Sequence, residues 1–344
     1  MTMARERSTA MLQELPGNVV ELVQSGSIAE YATVSAAGVP IDTPVLYFPS
    51  DGLRSVDLAT GLSYPAKAER ARKNPKVGLL IEGGPEEPVV SIAGIAAVRD
   101  SDLQANVERY LSEAGHTLPG NPDWSLASEA VWYWTRIIVE VTPARVLWWE
   151  TPAAMNGEPK RWVAPADTVY PKSDPAPLGI PSSAPEWERL HWRELANRAL
   201  ERGGNGHLSL IDAEGYPQPI RARSIVLTGK GFTLELPGGV PWSVAGKASL
   251  TFQGIETFIG EVTAENGQVS MRVDRALPIF PMTRDTSELW QPSAGTRENL
   301  MRRLRHETQR RGQPIPSIPS ERPAPTKGYQ LRMARRKALA TADG

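Results

Sequence analysis

The chain has 344 residues, more than the roughly 250 at which a single hydrophobic core stops growing, so the sequence predicts two domains. Charged residues make up 22% of the chain and the formal net charge is −1, a balance that does not favour nucleic-acid binding. The absence of cysteine excludes disulfides, thiolate nucleophiles and sulfur-ligated metal sites. The N-terminal segment lacks the apolar core of a signal peptide, and no apolar run approaches the ~18 residues of a membrane span, so we expect a soluble, cytoplasmic protein.

Short β-strands dominate the elements predicted for the first half. They follow an amphipathic helix over residues 11–24, where Leu12, Leu15, Val19 and Leu22 share helical spacing and Pro16 and Gly17 interrupt the helix. The strands lie in IAEYATVSAAGVPIDTPVLYF, LRSVDLAT, KVGLLIEG, PVVSIAGIAAVRD and TRIIVEVTPARVLWWE, with AAG and SDG turns between them. About six short strands with few helices predict a small barrel, whose closure removes exposed strand edges, and argue against a doubly wound parallel sheet.

A proline-rich segment marks a boundary near the middle of the chain. Beyond it come one helix and a second series of strands. Both halves have a strand, a turn and a further strand in that order, with AAGVP as the turn in the first half and AEGYP in the second. The sequence therefore predicts two copies of one barrel. The final segment is basic; we expect one helix strapped across the barrels and a flexible end, with contact to nucleic acid or an acidic partner as the alternative. We predict the first barrel at residues 1–150 and the linker at 151–185. A degenerate second barrel follows at 186–290, and the tail at 291–344.

A short cationic helix is predicted between two strands of the first barrel, in GLSYPAKAERARKNPKVGLLIEG. Pro65 suits the first helical position, and Asn74 with Pro75 ends the helix. The second repeat has PGGVPWSVAGKASLTF at this place and lacks the helix. A charge run of this kind is often only the solvated face of a helix. Its position between two barrel strands along the chain, and its absence from the second repeat, favour a binding function instead.

The N-terminus of this helix has the chemistry of an anion site. Free backbone N–H groups and the helix dipole attract an anion there, and Thr60 and Ser63 add hydroxyl donors. Lys67 lies in the first turn and can reach the same anion, and Arg70 follows one turn later on the same face. The sequence therefore predicts a phosphate-binding site.

The runs AAGVPIDTPVLYF and ATGLSYPAKAERARKNPKVGLLIEG resemble the pyridoxamine 5'-phosphate oxidase-like, FMN-binding split-barrel superfamily, most specifically from Lys67 to Leu80. The resemblance covers roughly residues 25–150 and implies a six-stranded split β-barrel that holds a flavin at the interface between two barrels. Together with the internal repeat, it leads us to expect two tandem six-stranded split β-barrels of this FMN-binding type. By position it implies that Lys67 binds the cofactor phosphate, supported by Thr60 and Ser63, and that the flavin ring lies along Val45, Leu46 and Tyr47.

One departure from the family pattern narrows the expected activity. The segment IDTPVLYF lacks the arginine that the oxidase proper carries after its G-x-P turn. This disfavours pyridoxamine phosphate oxidation and leaves flavin and deazaflavin reductases, or a cofactor-free descendant. FAD and a deazaflavin coenzyme stay open beside FMN.

The second barrel is expected to play the part of the family's partner subunit, which makes the chain a pseudo-dimer and leaves a further homodimer open. Arg221 and Arg223 share a strand face and would reach the cofactor across the interface; the alternative is a solvent-facing pair. Arg136, at the start of a strand, is a further candidate cofactor contact.

The remaining sequence offers no other catalytic chemistry. The four histidines are not at metal-ligand spacing, so we predict no metal, and no serine, histidine and acid set is apparent. A flavin carries its own hydride chemistry, so no catalytic side chain is required. We expect an FMN-dependent oxidoreductase that transfers hydride between a reduced nicotinamide nucleotide and a small organic substrate. The alternatives are a non-catalytic flavin- or ligand-binding protein and cofactor-free chemistry on an anionic substrate.

Overall fold

Two antiparallel β-sheets account for the architecture of the chain. The computed structural model describes residues 11–25, 28–116, 118–183, 189–203, 205–252, 255–265, 268–279 and 287–342. The first sheet contains β1 (Ile28–Val34), β2 (Pro40–Pro49), β3 (Val56–Gly61), β4 (Lys76–Glu82), β5 (Val89–Arg99), β6 (Arg136–Trp149) and β7 (Lys160–Val163). The second contains β8 (Gly206–Ile211), β9 (Pro217–Arg221), β10 (Ser224–Leu227), β11 (Gly231–Glu235), β12 (Gly246–Phe252), β13 (Glu256–Glu265) and β14 (Gln268–Ala276).

Helices lie around the sheets and do not alternate with the strands. They are α1 (Gly17–Ser25), α2 (Ala66–Lys73), α3 (Leu103–Ala114), α4 (Trp124–Ser128), α5 (Val131–Trp134), α6 (Trp192–Glu201), α7 (Ser287–Trp290), α8 (Ala294–Arg310) and α9 (Lys327–Ala342). Short 3-10 helices occupy Met11–Glu14, Asp51–Leu53 and Pro152–Asn156. The mainly β class predicted from the sequence is confirmed. None of the described helices combines the length and apolar character needed to cross a bilayer.

The first sheet closes into a six-stranded barrel. Its strand order is β3-β2-β1-β4-β5-β6-β7, and β3 also pairs with β6, from Val56 opposite Val141 to Gly61 opposite Arg136. Strand β7 pairs with the C-terminal part of β6, beyond the end of β3. This closure places the start of α2, which follows β3 directly, beside the first residue of β6.

The second sheet has the same cyclic strand order but stays open. Its order is β10-β11-β14-β13-β12-β8-β9. If β11 is taken as the equivalent of β3, then β14, β13, β12, β8 and β9 correspond in order to β6, β5, β4, β1 and β2 of the first barrel. Among the described strands, β9 and β11 do not pair, so the sheet forms a half-barrel. The predicted tandem repeat is confirmed at this level, and its turns agree: Gly38 and Gly215 have φ of 70° and 88°, a conformation that glycine adopts without strain.

The outer face of the first barrel packs directly against the second sheet. A Cβ atom added to Gly78 on β4 would lie 1.9 Å from the carbonyl oxygen of Pro217 on β9. The hydroxyl of Ser91 donates to the Pro219 carbonyl at 2.6 Å. Leu80 of β4 belongs to the hydrophobic core of the second sheet. The interface between the sheets is therefore a packed core, which fixes their relative position.

Two segments are more ordered than the sequence predicts. The linker contributes β7, and the Asp174 carboxylate accepts hydrogen bonds from the N–H groups of Asp100 and Ser101, both at 2.9 Å. The tail contains a second helix, α9, which packs against α1 and α3. The helix predicted over residues 11–24 is interrupted at Pro16, as the sequence indicates, because proline has no N–H group with which to continue it.

Candidate functional site

Helix α2 forms where the sequence places it. It spans Ala66–Lys73, begins after Pro65 and ends at Asn74, whose N–H donates to the Arg70 carbonyl. Ala68 and Ala71 are buried against the barrel, and their small side chains allow the helix to lie close to β1 and β5. The cationic side chains of α2 are thereby held at the barrel surface.

Lys67 points from α2 toward the outer face of β1 and β2. Its ammonium donates to the Pro44 carbonyl at 3.0 Å, and the side chain is half-buried. Desolvation, together with the nearby Arg70 charge, lowers the pKa of Lys67 to about 8, although Glu30 and Asp42 favour its charged form. The lysine is cationic at neutral pH but holds its proton weakly.

Arg70 lies one turn further along α2. Its Nε donates to the Thr33 hydroxyl at 2.7 Å, and the side chain is half-buried. Desolvation lowers the pKa of Arg70, with Tyr31 opposing the shift. Within the described chain, Arg70 forms no ion pair with a carboxylate.

Arg136 lies at the start of β6, directly opposite Gly61 in the β3–β6 pairing. The side chain is buried, and its guanidinium carbon lies 4.5 Å from the ring centroid of Tyr110 and 4.3 Å from that of Tyr133. Its Nε has no hydrogen-bond partner among the described residues. Arg136 is thus a buried cation held by aromatic rings and by no carboxylate of the described chain.

The two predicted hydroxyl donors are buried beside the start of α2. Thr60 is the penultimate residue of β3, and Ser63 lies in the turn before Pro65. Helix α8 covers this turn: Arg303 Nε donates to the Ser63 carbonyl at 2.7 Å, and the Ser63 hydroxyl lies 3.4 Å from the Leu300 carbonyl. No local signal in the sequence indicates that α8 lies here.

Only one of the three residues expected along the flavin ring is partly accessible. Val45 and Tyr47 belong to the core of the first barrel, and the Tyr47 hydroxyl donates to the Leu22 carbonyl of α1 at 3.3 Å. Leu46 points to the opposite side of β2 and is half-buried. Leu46 also packs against the edge of that core, and of this group it alone is accessible enough to contact a ligand.

Arg221 and Arg223 lie apart from α2 and have partners of their own. Arg221 reaches across the interface to Glu82 at 3.1 Å and also donates to Asn205 at 2.7 Å. Arg223 pairs with Glu235 at 3.0 Å within the second sheet. The structure thus brings together Thr60, Ser63, Lys67, Arg70 and Arg136, and leaves Arg221 and Arg223 outside this group.

A second polar cluster, absent from the sequence analysis, lies between the sheets. Glu30 of β1, Asp42 of β2 and His207 of β8 are 6%, 0% and 1% exposed. Burial raises the pKa of Glu30 to about 8. Burial alone would lower the pKa of His207, but the adjacent Asp42 raises it to about 9. The residues come from distant segments, so no local spacing could have revealed the cluster.

No protein-family model matches the chain, and no curated protein is significantly similar to it. Solved structures do resemble it in part. General Stress Protein 26 from Bacillus anthracis shares 14% identity, covering 42% of this chain and 95% of its own, with a TM-score of 0.30.

Two further structures are described as flavin-binding. A pyridoxamine 5'-phosphate oxidase-related, FMN-binding protein from Nostoc punctiforme shares 15% identity over 43% of this chain and 82% of its own, with a TM-score of 0.27. An FAD-binding protein from Mesorhizobium loti shares 17% identity over 37% of this chain and 87% of its own, with a TM-score of 0.26. Because the identities and TM-scores are low, what this chain binds has to be inferred from its own residues.

Proposed function

We propose that the protein binds a flavin whose phosphate lies among the cations at the start of α2. One observation carries this proposal: within the described chain, Lys67, Arg70 and Arg136 surround this point and none of them forms an ion pair with a carboxylate. A desolvated cation without a counter-ion at ion-pair distance is costly, and a phosphate would supply a negative charge in direct contact.

Other buried arginines provide the comparison. Within the described residues, Arg145 pairs with Asp212, and both Arg72 and Arg311 pair with Asp100. The chain therefore does supply carboxylates to its buried cations as a rule. The cations around the start of α2 depart from this rule at the point where a helix N-terminus also favours an anion.

The residues present fit a phosphate-bearing ligand. Lys67 and Arg136 would hold the phosphate as charged donors, and the unpartnered Nε of Arg136 offers one hydrogen bond that the described protein leaves unmade. Thr60 and Ser63 would add hydroxyl donors, and Leu46 would contact the apolar part of the ligand. When bound, a flavin supplies hydride transfer between a reduced nicotinamide nucleotide and a small organic acceptor. We infer that the protein is a flavin-dependent oxidoreductase of this kind, with FMN as the simplest cofactor and FAD or a deazaflavin as alternatives.

The experiment is a titration of the purified protein with FMN, followed by flavin fluorescence, in the wild type and two variants. Lys67→Ala removes one charged contact to the phosphate and should weaken FMN binding by about tenfold or more. Lys73→Ala removes an exposed lysine from the same helix and should leave binding unchanged. Equal affinities in all three proteins would contradict the proposed role of Lys67.

A second candidate is a small anionic ligand without a flavin. The cover that α8 forms over Ser63 and the direct packing of Gly78 against β9 favour it, because both leave less room for a flavin ring. In that case inorganic phosphate would protect the protein against thermal unfolding, Lys67→Ala would abolish the protection, and FMN would not bind.

Anaerobic addition of NADH to protein with bound FMN separates an oxidoreductase from a non-catalytic flavin carrier, since only an oxidoreductase would bleach the flavin absorbance.

A further inference from the structure

We propose that Glu30, Asp42 and His207 bind one divalent transition-metal ion at the interface between the two sheets. One ligand atom from each residue lies within 4.8 Å of the other two. The His207 Nε2 is 2.7 Å from an Asp42 carboxylate oxygen and 3.8 Å from Glu30 Oε2. Ligands at about 2.0–2.2 Å from a zinc ion lie roughly 3–4 Å from one another, so small movements would place the three atoms around one ion.

Unsatisfied polar atoms distinguish this cluster from an ordinary buried ion pair. Glu30 Oε2, Asp42 Oδ1 and His207 Nδ1 have no hydrogen-bond partner among the described residues, and His207 Nε2 has only its ion-pair contact with Asp42. A simple pairing of His207 with Asp42 would still leave Glu30 Oε2 and Asp42 Oδ1 without partners, which is uncommon for buried groups. A metal ion with one bond to each residue would satisfy the atoms that face the centre of the cluster.

The surrounding residues hold Asp42 in position. The Ser209 hydroxyl donates to its carboxylate at 3.1 Å. The hydroxyls of Thr251 and Thr257 lie 3.4 and 3.2 Å from its backbone carbonyl. Such outer contacts orient the ligands of metal sites. All three hydroxyls come from the second sheet, whereas Asp42 belongs to the first.

One imidazole and two carboxylates form a mixed set of nitrogen and oxygen ligands. Imidazole suits zinc and iron, and carboxylates suit manganese as well, so Zn²⁺ and Mn²⁺ are the appropriate probes. The ligands come from β1 and β2 on one side and β8 on the other. The ion would therefore link the two sheets, and its loss would lower the stability of the interface.

The test measures the metal content of untagged protein from cultures supplied with Zn²⁺ or Mn²⁺, by mass spectrometry after gel filtration. We expect about one ion per chain in the wild type, and at least about tenfold less in Glu30→Gln and His207→Gln. His306→Gln alters an exposed histidine and serves as the matched control, which should keep the ion. Less than about 0.1 ion per chain in the wild type, or equal content in all four proteins, would overturn the proposal.

A second measurement covers the case in which the variants fold poorly. EDTA should lower the thermal unfolding temperature of the metal-loaded wild type, and added Zn²⁺ or Mn²⁺ should restore it. Unfolding temperatures that are insensitive to both treatments would also overturn the proposal. Neither result depends on flavin binding, so this test and that of the proposed function can fail separately.

Discussion

Among single residues, Arg136 shows most clearly how the cations around α2 differ from the other buried cations. It is buried between Tyr110 and Tyr133 without a carboxylate from the described chain, whereas Arg72 is buried against Asp100 at 2.7 Å. Binding sites often retain groups that cost stability until a ligand arrives. The two arginines should therefore respond in opposite ways to loss of their charge.

We predict that Arg136→Met leaves the unfolding temperature of the ligand-free protein unchanged or raised, because methionine removes an unpaired charge and keeps an apolar contact with the tyrosines. The increase in unfolding temperature on addition of FMN should fall sharply in this variant. Arg72→Met should instead lower the stability by about 1–3 kcal/mol, since the buried Asp100 loses one of its two arginine partners and keeps Arg311. Scanning calorimetry with and without FMN checks both; a loss of stability in Arg136→Met as large as that in Arg72→Met would contradict the assignment of Arg136.

The sequence predicted which residues gather at the start of α2 better than it predicted which side chains of β2 are accessible. Lys67, Arg70, Thr60 and Ser63 lie within one short segment, so the distances between them follow from local helix and turn geometry. Alternation along β2 already implies that Val45 and Tyr47 cannot share a face with Leu46, and the structure shows them in the barrel core. The cluster of Glu30, Asp42 and His207 depends on the packing of two sheets, which no local pattern encodes.

At the level of secondary-structure elements, α8 packs over the candidate site. It covers the turn before α2 and also holds the end of the linker. Glu307, on the buried side of α8, accepts a hydrogen bond from Ser182 N–H at 2.6 Å and pairs with Arg310 and Arg311 at 2.6 and 2.7 Å. Burial alone would raise the pKa of Glu307, but the hydrogen bonds from Ser182 and Arg311 hold it below its ordinary value.

We predict that Glu307→Gln lowers the free energy of unfolding by about 1–3 kcal/mol, because Arg310 and Arg311 lose their shared carboxylate but keep their ion pairs with Glu69 and Asp100. Hydrogen exchange of the backbone near Ser182 should become faster. Glu298→Gln, at an exposed position of the same helix, is the control and should change stability by less than about 0.5 kcal/mol. Urea unfolding measures both, and equal stabilities of the two variants would show that α8 is not fastened by Glu307.

Elements with strong local signals were predicted well, and their packing partners were not. Pro65 and the Asn74–Pro75 pair set the limits of α2, which spans Ala66–Lys73 in the structure. The expected helix in the basic tail exists as α8, but its contact with Ser63 joins residues more than 200 positions apart. Helical periodicity shows that a helix has an apolar side, and it carries no information about which distant surface that side covers.

For the whole molecule, the important feature is that the second sheet packs against the outer face of the first barrel without a gap at Gly78. We predict that Gly78→Ala destabilises the protein by about 1–3 kcal/mol, because the added methyl group would meet the Pro217 backbone of the second sheet. Gly229→Ala is the matched control, since nothing lies within 4 Å of its added methyl group. Chemical denaturation compares the two; equal stability would mean that the sheets separate easily at this point.

The most direct test of the account compares FMN with riboflavin, which lacks the phosphate, by isothermal titration calorimetry. If the cations at the start of α2 bind a phosphate, the wild type and Lys73→Ala should bind FMN at least about tenfold more tightly than riboflavin, and Lys67→Ala should lose most of that difference. Equal affinity of the wild type for FMN and riboflavin would contradict the central claim, because the unpaired cations would then have no part in holding the cofactor.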